Sequence, residues 1–289
     1  MTRAENRESL QIIRIPGWKR YPWLRHGFST RPGGVSTVYG GNTLNLGWTK
    51  EDDPQSVAEN RRHFLAAVTG EADIDLAPPL VGVRQIHSAI VHAIRSDDGA
   101  LKGKLATPDG KAILEGDGLI TAIPKIILGV GTADCVPVLI ADVRNRVVAA
   151  FHAGWRGTAA RIIEQGVNAM HLEYGSQPQD LIAAIGPSIG PCCYSVGEEV
   201  REQFEANFPY AKDLFTINHP DSSTKKIHLN LWESNRRQLL DAGLSETHIT
   251  LVGDCTACTR DAHGARRYFS HRAEQGTAGR MLNVIGIAN

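Results

Sequence analysis

No stretch of the chain approaches the roughly 20 consecutive apolar residues that a membrane-spanning helix requires. The opening residues, MTRAENRESLQIIRIPGW, also lack the uninterrupted apolar segment of a secretory signal. Net charge is missing too: 31 basic and 31 acidic side chains cancel, so no global field recruits nucleic acid or an anionic membrane. A local basic pocket remains open. These absences lead to the expectation of a cytoplasmic protein with neither nucleic acid nor membrane as partner. Five cysteines, an odd number in 289 residues without a signal, argue against a disulfide framework and for free thiols or metal ligands. Internal repeats and low-complexity linkers are absent as well, which favours a single domain over residues 1–289. Two nucleotide readings are weak. HAGWRG lacks the Lys-Ser/Thr of a Walker loop, and GVGTAD lacks the third glycine of a dinucleotide fingerprint.

What is present centres on Ile126 to Gly157, IILGVGTADCVPVLIADVRNRVVAAFHAGWRG, where apolar runs deliver Cys135 and His152 toward one another. A hairpin pairing Val136–Ala141 with Arg146–Phe151 puts Ala141 opposite Arg146 and Cys135 opposite His152, on one face. A slip of one residue sends the two side chains to opposite faces, so the pairing depends on loop length. Pro137, which has no N–H to donate, calls for an edge strand or a bulge.

Elsewhere a strand is expected in Leu10–Ile15, and HGFSTRPGGVS (His26 to Ser36) reads as an anion-binding loop built on Arg31 or as an ordinary surface turn. Pro54–Thr69 has the marks of a helix, with Asp53 to cap it and Gly70 to end it. Leu80–Ile86 and Ile90–Ile94 alternate like strands, flanking His87 and carrying His92. Asp117 either serves chemistry or closes an Asx-turn. Thr158–Glu173 reads as one helix whose start, beside Arg156, favours an anion. Leu181–Ile185 and Ile249–Val252 read as strands, and Ser195 with Glu198 has capping-box spacing for a helix to about Phe208. Asn218–Lys226 is polar and expected to be exposed, and Asn230 starts a helix to Ala242. Adjacent Cys192 and Cys193 suit packing better than ligation. Cys255 and Cys258 form a CxxC with no second CxxC after it, a weak zinc signal. Arg260, Arg266, Arg267, Arg272 and Arg280 make either a phosphate-facing surface or a solvated loop.

Two reactive readings share the same residues, and two further readings stand beside them. His87, Cys135 and His152 can bind one zinc ion with a fourth position open, as catalytic zinc sites do. Cys135 can instead be a thiolate nucleophile with His152 as its base. A multicopper oxidase needs many histidines arranged largely as HxH pairs, and the 11 histidines here include none. A metal-binding module without turnover uses the zinc set equally well.

The blocks STRPGGVS, QIHS, DGLIT, TADCVPVL, HAGWRG, GPSIGPCCYSVG and FSHRAEQGTAGRM, spread from Ser29 to Met281, together resemble the YfiH family of laccase-domain or polyphenol-oxidase-like proteins. The resemblance implies a mixed α+β fold with a sheet-rich core and helices packed outside. It implies zinc on His87, Cys135 and His152, with copper the less favoured ion. It also implies phosphorolysis of adenosine, inosine, guanosine and methylthioadenosine to free base and ribose 1-phosphate, with adenosine deamination as a side activity. Phosphate must then be aimed at the anomeric carbon, and Arg31 is the residue expected to grip it, ahead of Arg156. A link of this family to peptidoglycan precursor editing implies a cytosolic amidase as the alternative. Two residues depart from the family pattern: Ser88 stands where glycine is common, and His271 where tyrosine is usual.

Overall fold

The computed structural model describes residues 10–218 and 226–288; the stretch expected to be exposed, Asn218–Lys226, falls largely outside them. A six-stranded sheet runs in the order Ile249–Leu251, Leu181–Ile185, Val136–Asp142, Val147–Ala153, Gly118–Thr121 and Val91–Ile94. A five-stranded sheet, ordered Ile12–Ile13, Leu24–Ser29, Met281–Ile287, Ile127–Thr132 and Leu80–Val81, packs on one of its faces. Helices Ile162–Tyr174, Glu198–Asn207 and Leu231–Asp241 cover the other face. This is the α+β arrangement expected, a sheet-rich core with helices outside.

The central strands are buried along their whole length and, apart from Asp142 and His152, apolar, because both of their faces are covered. Val136, Val138 and Ile140 meet Ile162, Ile163 and Met170 on the helical side. Leu139 and Ala141 point the other way, toward Phe28, Leu128 and Val130 of the second sheet. By the same alternation, Cys135 and His152 belong to the side between the sheets.

The hairpin forms, with a register two residues away from the expected one. Pro137 lies opposite His152 and Asp142 opposite Val147. The reason lies in the loop. Asp142 Oδ1 accepts from the amides of Arg144 and Asn145, both at 2.8 Å, and Arg146 takes a left-handed φ of 55°, so Arg146 belongs to the turn. A two-residue shift preserves facing, and Cys135 and His152 still converge. Pro137 is in a central strand after all. Its carbonyl accepts from Gly186 N at 2.9 Å, just past the end of Leu181–Ile185. Its absent N–H therefore faces a point where that neighbouring strand has already stopped.

Three other boundaries differ. His87 is outside any strand and holds a φ of 60°, between Leu80–Val81 and Val91–Ile94. The helix expected over Thr158–Glu173 is two, Trp155–Ala159 and Ile162–Tyr174, broken where Arg161 turns left-handed at φ 60°. A helix start beside Arg156 is thus a five-residue turn of helix. Glu198–Asn207 is capped by Gly197, and Ser195 sits in a short strand and does not cap it. The other two helices match expectation: Asp53 accepts from Ser56 N at 2.9 Å, Gly70 ends that helix left-handed, and Asn230 accepts from Glu233 N at 3.0 Å.

Helix Ile162–Tyr174 approaches the sheet closely because of Gly166. A Cβ there would lie 2.3 Å from Cε1 and Cζ of the fully buried Phe151 ring. Replacing a mid-helix glycine by alanine is worth up to about 1 kcal/mol in propensity, whereas overpacking a rigid core costs about 1–3 kcal/mol. The clash wins. Gly166→Ala is expected to lower stability by about 1–2 kcal/mol in urea denaturation, and a gain in stability would show that Phe151 has room to move.

Candidate metal centre

Asp117 assembles the site. Its buried carboxylate, one residue before the Gly118–Thr121 strand, accepts from the amides of Ile86 (3.3 Å), His87 (3.1 Å) and Ser88 (2.6 Å) and from Ser88 Oγ (2.8 Å). The same carboxylate holds His152 Nδ1 at 2.8 Å, and the Asp117 carbonyl accepts from His152 N at 2.8 Å. One side chain thus shapes the left-handed turn that presents His87 and orients the imidazole of His152. The Asx-turn expected of Asp117, closing its own loop before Leu119, is replaced by bonds to residues 86–88 and to His152. Ser88 supplies a hydroxyl donor that a glycine cannot.

With His152 Nδ1 donating to Asp117, Nε2 faces Cys135. Cys135 Sγ lies 4.0 Å from His87 Nε2, and the two imidazoles meet edge to face with centroids 4.9 Å apart. The three ligand atoms all lie within 4.8 Å of one another. A tetrahedral ion with metal–nitrogen bonds of about 2.0–2.1 Å and a metal–sulfur bond of about 2.3 Å needs an N···S edge of about 3.6 Å. A slight closing movement of the side chains meets it. Two imidazoles and a thiolate suit zinc or copper, and the carboxylate behind His152 is the outer partner that metal-binding histidines usually have. Gly154 keeps the space open, since a Cβ there would stand 3.0 Å from His87 Cδ2 and 3.1 Å from Cys135 Sγ.

Electrostatics agree with ligation. Burial pushes the Cys135 thiol up, but the neighbouring His152 and His87 outweigh it and bring it down to about 6. Burial pulls His152 down, yet Cys135 and Asp117 together raise it to about 9. Asp117, despite burial, is held at about 2 by His152 and Ser88. Asp134, next to Cys135, adopts φ 93°, and its carboxylate is pinned by Thr256 Oγ1 and Arg272 N, both at 2.6 Å.

The three residues open into a cleft of about 730 Å³, which Gln85, Trp48, Tyr194, His271, Arg272 and Arg280 also line. Gln85 is fixed there by two 2.8 Å bonds to the backbone of Gly131. Of the five arginines marked near the C-terminus, Arg272 and Arg280 reach the cleft, while Arg267 pairs with Asp254 at 3.1 Å and Arg260 and Arg266 donate to the Ala257 carbonyl. Arg31 lies elsewhere. It pairs with Glu274 at 2.7 Å, donates to the Tyr39 carbonyl and stacks over Phe269 at 5.0 Å, beside a separate hollow. Arg156 stacks on Trp155 at 4.4 Å at a further hollow next to Arg272. His92 is structural, bonded to the Glu115 carbonyl at 2.7 Å. Trp48 and Tyr194 carried no sequence signal, because each is an isolated aromatic brought in by a loop.

Residues 25–288 match the family described as multi-copper polyphenol oxidoreductase laccase. The chain belongs to this laccase-domain family, the YfiH and YlmD group. It is 34% identical over 276 residues to the purine nucleoside phosphorylase YlmD of Geobacillus stearothermophilus, covering 91% of this chain and 94% of that one. It is likewise 34% identical over 259 residues to adenosine deaminase RL5 from an unidentified prokaryote, covering 89% and 92%. The crystal structure of YfiH from Bacillus licheniformis superposes with a TM-score of 0.80 at 32% identity, covering 96% of each chain. Despite the family's copper name, the described residues form two clusters of three or more metal-capable side chains, one of two histidines and a cysteine and the other of four cysteines.

A metal ion takes Cys135 as thiolate and His152 as neutral imidazole, so binding expels whatever protons they carry. Between about pH 6 and 9 the metal-free pair holds its proton on His152, and below 6 Cys135 gains one as well. Affinity is therefore expected to rise with pH, by about tenfold per pH unit from 6 to 9 and more steeply below 6. Competition against a chromophoric chelator measures this, and a flat profile from 6 to 9 would contradict the charged pair. Asp117→Asn is expected to weaken binding by about 10–100-fold in the same assay.

Proposed function

We propose that this chain is a zinc-dependent purine nucleoside phosphorylase, taking adenosine, inosine, guanosine and methylthioadenosine with inorganic phosphate to the free base and ribose 1-phosphate. The observation that carries the reading is the three-ligand centre of His87, Cys135 and His152 at the floor of a cleft large enough for a nucleoside and edged by arginine. Relatives bearing the phosphorylase name over nearly their whole length support the reaction class. Adenosine deamination as a side activity agrees with the name of the RL5 relative. The work falls to one cytoplasmic domain, in keeping with the absence, among the described residues, of a helix long and apolar enough to cross a membrane.

When bound, zinc would be held by His87, Cys135 and His152 and would supply Lewis acidity to the reaction. The rest is done by the chain. Asp117 keeps the His152 proton on Nδ1, so that Nε2 always faces the ion. Arg272 and Arg280 at the rim are the phosphate clamp in this reading. Each spends Nη1 on nearby oxygens, Arg272 on Ser195 at 2.7 and 3.1 Å and Arg280 on the Ala278 and Gly279 carbonyls at 2.6 and 3.0 Å. Their remaining guanidinium edges can meet phosphate oxygens. Arg31, engaged with Glu274, becomes a support for the Tyr39 loop in place of the phosphate ligand first expected of it. Trp48, whose Nε1 donates to Gly110 O at 3.0 Å, and Tyr194 offer flat surfaces for a purine.

The second reading is a hydrolase, including an amidase acting on peptidoglycan precursors. It is favoured by the thiol of Cys135 brought down to about 6 beside an imidazole raised to about 9, a nucleophile and base in contact.

Phosphate separates the two. Adenine release from adenosine is expected to require phosphate and to yield ribose 1-phosphate; release at the same rate without phosphate would establish hydrolysis. Arg272→Ala is expected to raise the KM for phosphate at least about tenfold, the loss of one charge-assisted contact, while Arg31→Ala changes it less than about threefold. The reverse pattern would return the phosphate role to Arg31.

A further inference from the structure

The fold assembles a second cluster that the first site does not use. Cys192, Cys193, Cys255 and Cys258 place their four sulfurs within 4.8 Å of one another. They come from two loops that sequence spacing did not connect. The missing partner of the Cys255–Cys258 CxxC is the adjacent pair Cys192–Cys193, not another CxxC. Adjacent cysteines diverge when the chain is extended, but these two lie in a tight turn, closed by Cys193 N and Tyr194 N both donating to Gly190 O at 3.0 Å. There, neighbouring side chains are only about 100° apart, as in a helix. Both can then reach one point.

Distances favour an ion over a bridge. The sulfurs of Cys192 and Cys258 are 3.7 Å apart. A tetrahedron with metal–sulfur bonds of about 2.3 Å has an edge of about 3.8 Å, whereas a disulfide brings sulfurs to about 2.05 Å. The surroundings are built for a thiolate. Gly190 N donates to Cys255 Sγ at 3.2 Å, and Thr259 N closes the CxxC turn on the Cys255 carbonyl at 2.9 Å. The loops are joined beside the cluster by Ser188 N to Asp254 O at 3.2 Å and Thr256 N to Ser188 O at 3.1 Å. Cys255 is buried while Cys192 and Cys258 are exposed, so an ion can enter from solvent and be held from below.

We propose that Cys192, Cys193, Cys255 and Cys258 bind a second ion, a structural zinc, separate from the His87, Cys135 and His152 centre. Binding forms four zinc–sulfur bonds and releases the thiol protons to solvent, with no change of oxidation state. Four protein ligands close the site, which excludes water and marks it as structural. Its place gives it a task. The clipped loop carries Ile189, whose N–H donates to Asp134 O at 2.8 Å, and Tyr194, and both line the catalytic cleft. The second zinc thus ties one wall of the cleft to the segment that leads into Arg272. None of this depends on the phosphorolysis reading.

The test counts metal and thiols on the reduced full-length chain loaded with zinc alone and freed of excess by gel filtration. Wild type is expected to hold two zinc ions, and Cys192→Ser/Cys258→Ser, altered only at exposed positions, one. His87→Ala/His152→Ala is also expected to retain one, which separates loss of this site from loss of the other. A measurement on wild type needs no variant: zinc is expected to slow alkylation of Cys192 and Cys258 by iodoacetamide at least tenfold, with chelation restoring it. One ion in both wild type and the cysteine variant, rapid alkylation of the zinc-loaded protein, or a Cys192–Cys258 disulfide in the zinc-loaded protein would each overturn the proposal.

Discussion

The Asp117 carboxylate ties two distant pieces of chain together, and the geometry of the centre depends on that connection. Four donors from residues 86–88 and the Nδ1 of His152 converge on two oxygens inside the protein. A buried carboxylate left alone would be costly, and here nearly every lone-pair direction is answered, so burial becomes a source of rigidity. The same bonds stabilise the φ of 60° at His87, a conformation that costs a β-carbon residue of order 1–3 kcal/mol when unsupported. Asp134 repeats the design on the other side of Cys135. Its φ of 93° is held by Thr256 and Arg272. The ligands are therefore placed by two strained turns, each locked by a carboxylate, on a sheet whose strands are buried on both faces.

That division of labour explains why the chain could be read in part. Val136–Asp142 and Val147–Ala153 were legible because continuous apolar runs report strands buried on two sides. The facing of Cys135 and His152 was legible too, since it depends only on parity, and the two-residue change of register left parity intact. The register itself was not, because it was set by the Asp142 side chain bonding its own loop, which hydrophobic pattern does not record. His87 was expected at the end of a strand, but it sits in a turn made by a carboxylate 30 residues away. The break at Arg161 was invisible for a related reason: nothing in a helical stripe marks one left-handed residue.

The cysteines show the limit most clearly. Spacing rules look for a second CxxC along the chain, whereas the fold supplies an adjacent pair through a turn and brings it to the first by loop packing. Arg31 illustrates the opposite case. A glycine-rich, arginine-bearing loop suggested an anion site, but Glu274, from far along the chain, takes the guanidinium. Arg272 and Arg280 were visible only as members of a basic run. Nothing local distinguished them from Arg260, Arg266 and Arg267, and position in the fold alone brings them to the cleft. Both the family's copper name and the phosphorylase name of its relatives meet one physical fact, the one His, Cys, His set found among the described residues, oriented by Asp117.

The most direct test of that account is X-ray absorption at the zinc edge on zinc-loaded Cys192→Ser/Cys258→Ser protein, where ligation by the four-cysteine cluster is removed. The expected first shell holds one sulfur at about 2.3 Å and two imidazole nitrogens at about 2.0–2.1 Å, with a lighter atom completing four. A shell without sulfur, or no bound zinc at all, would contradict the centre of His87, Cys135 and His152.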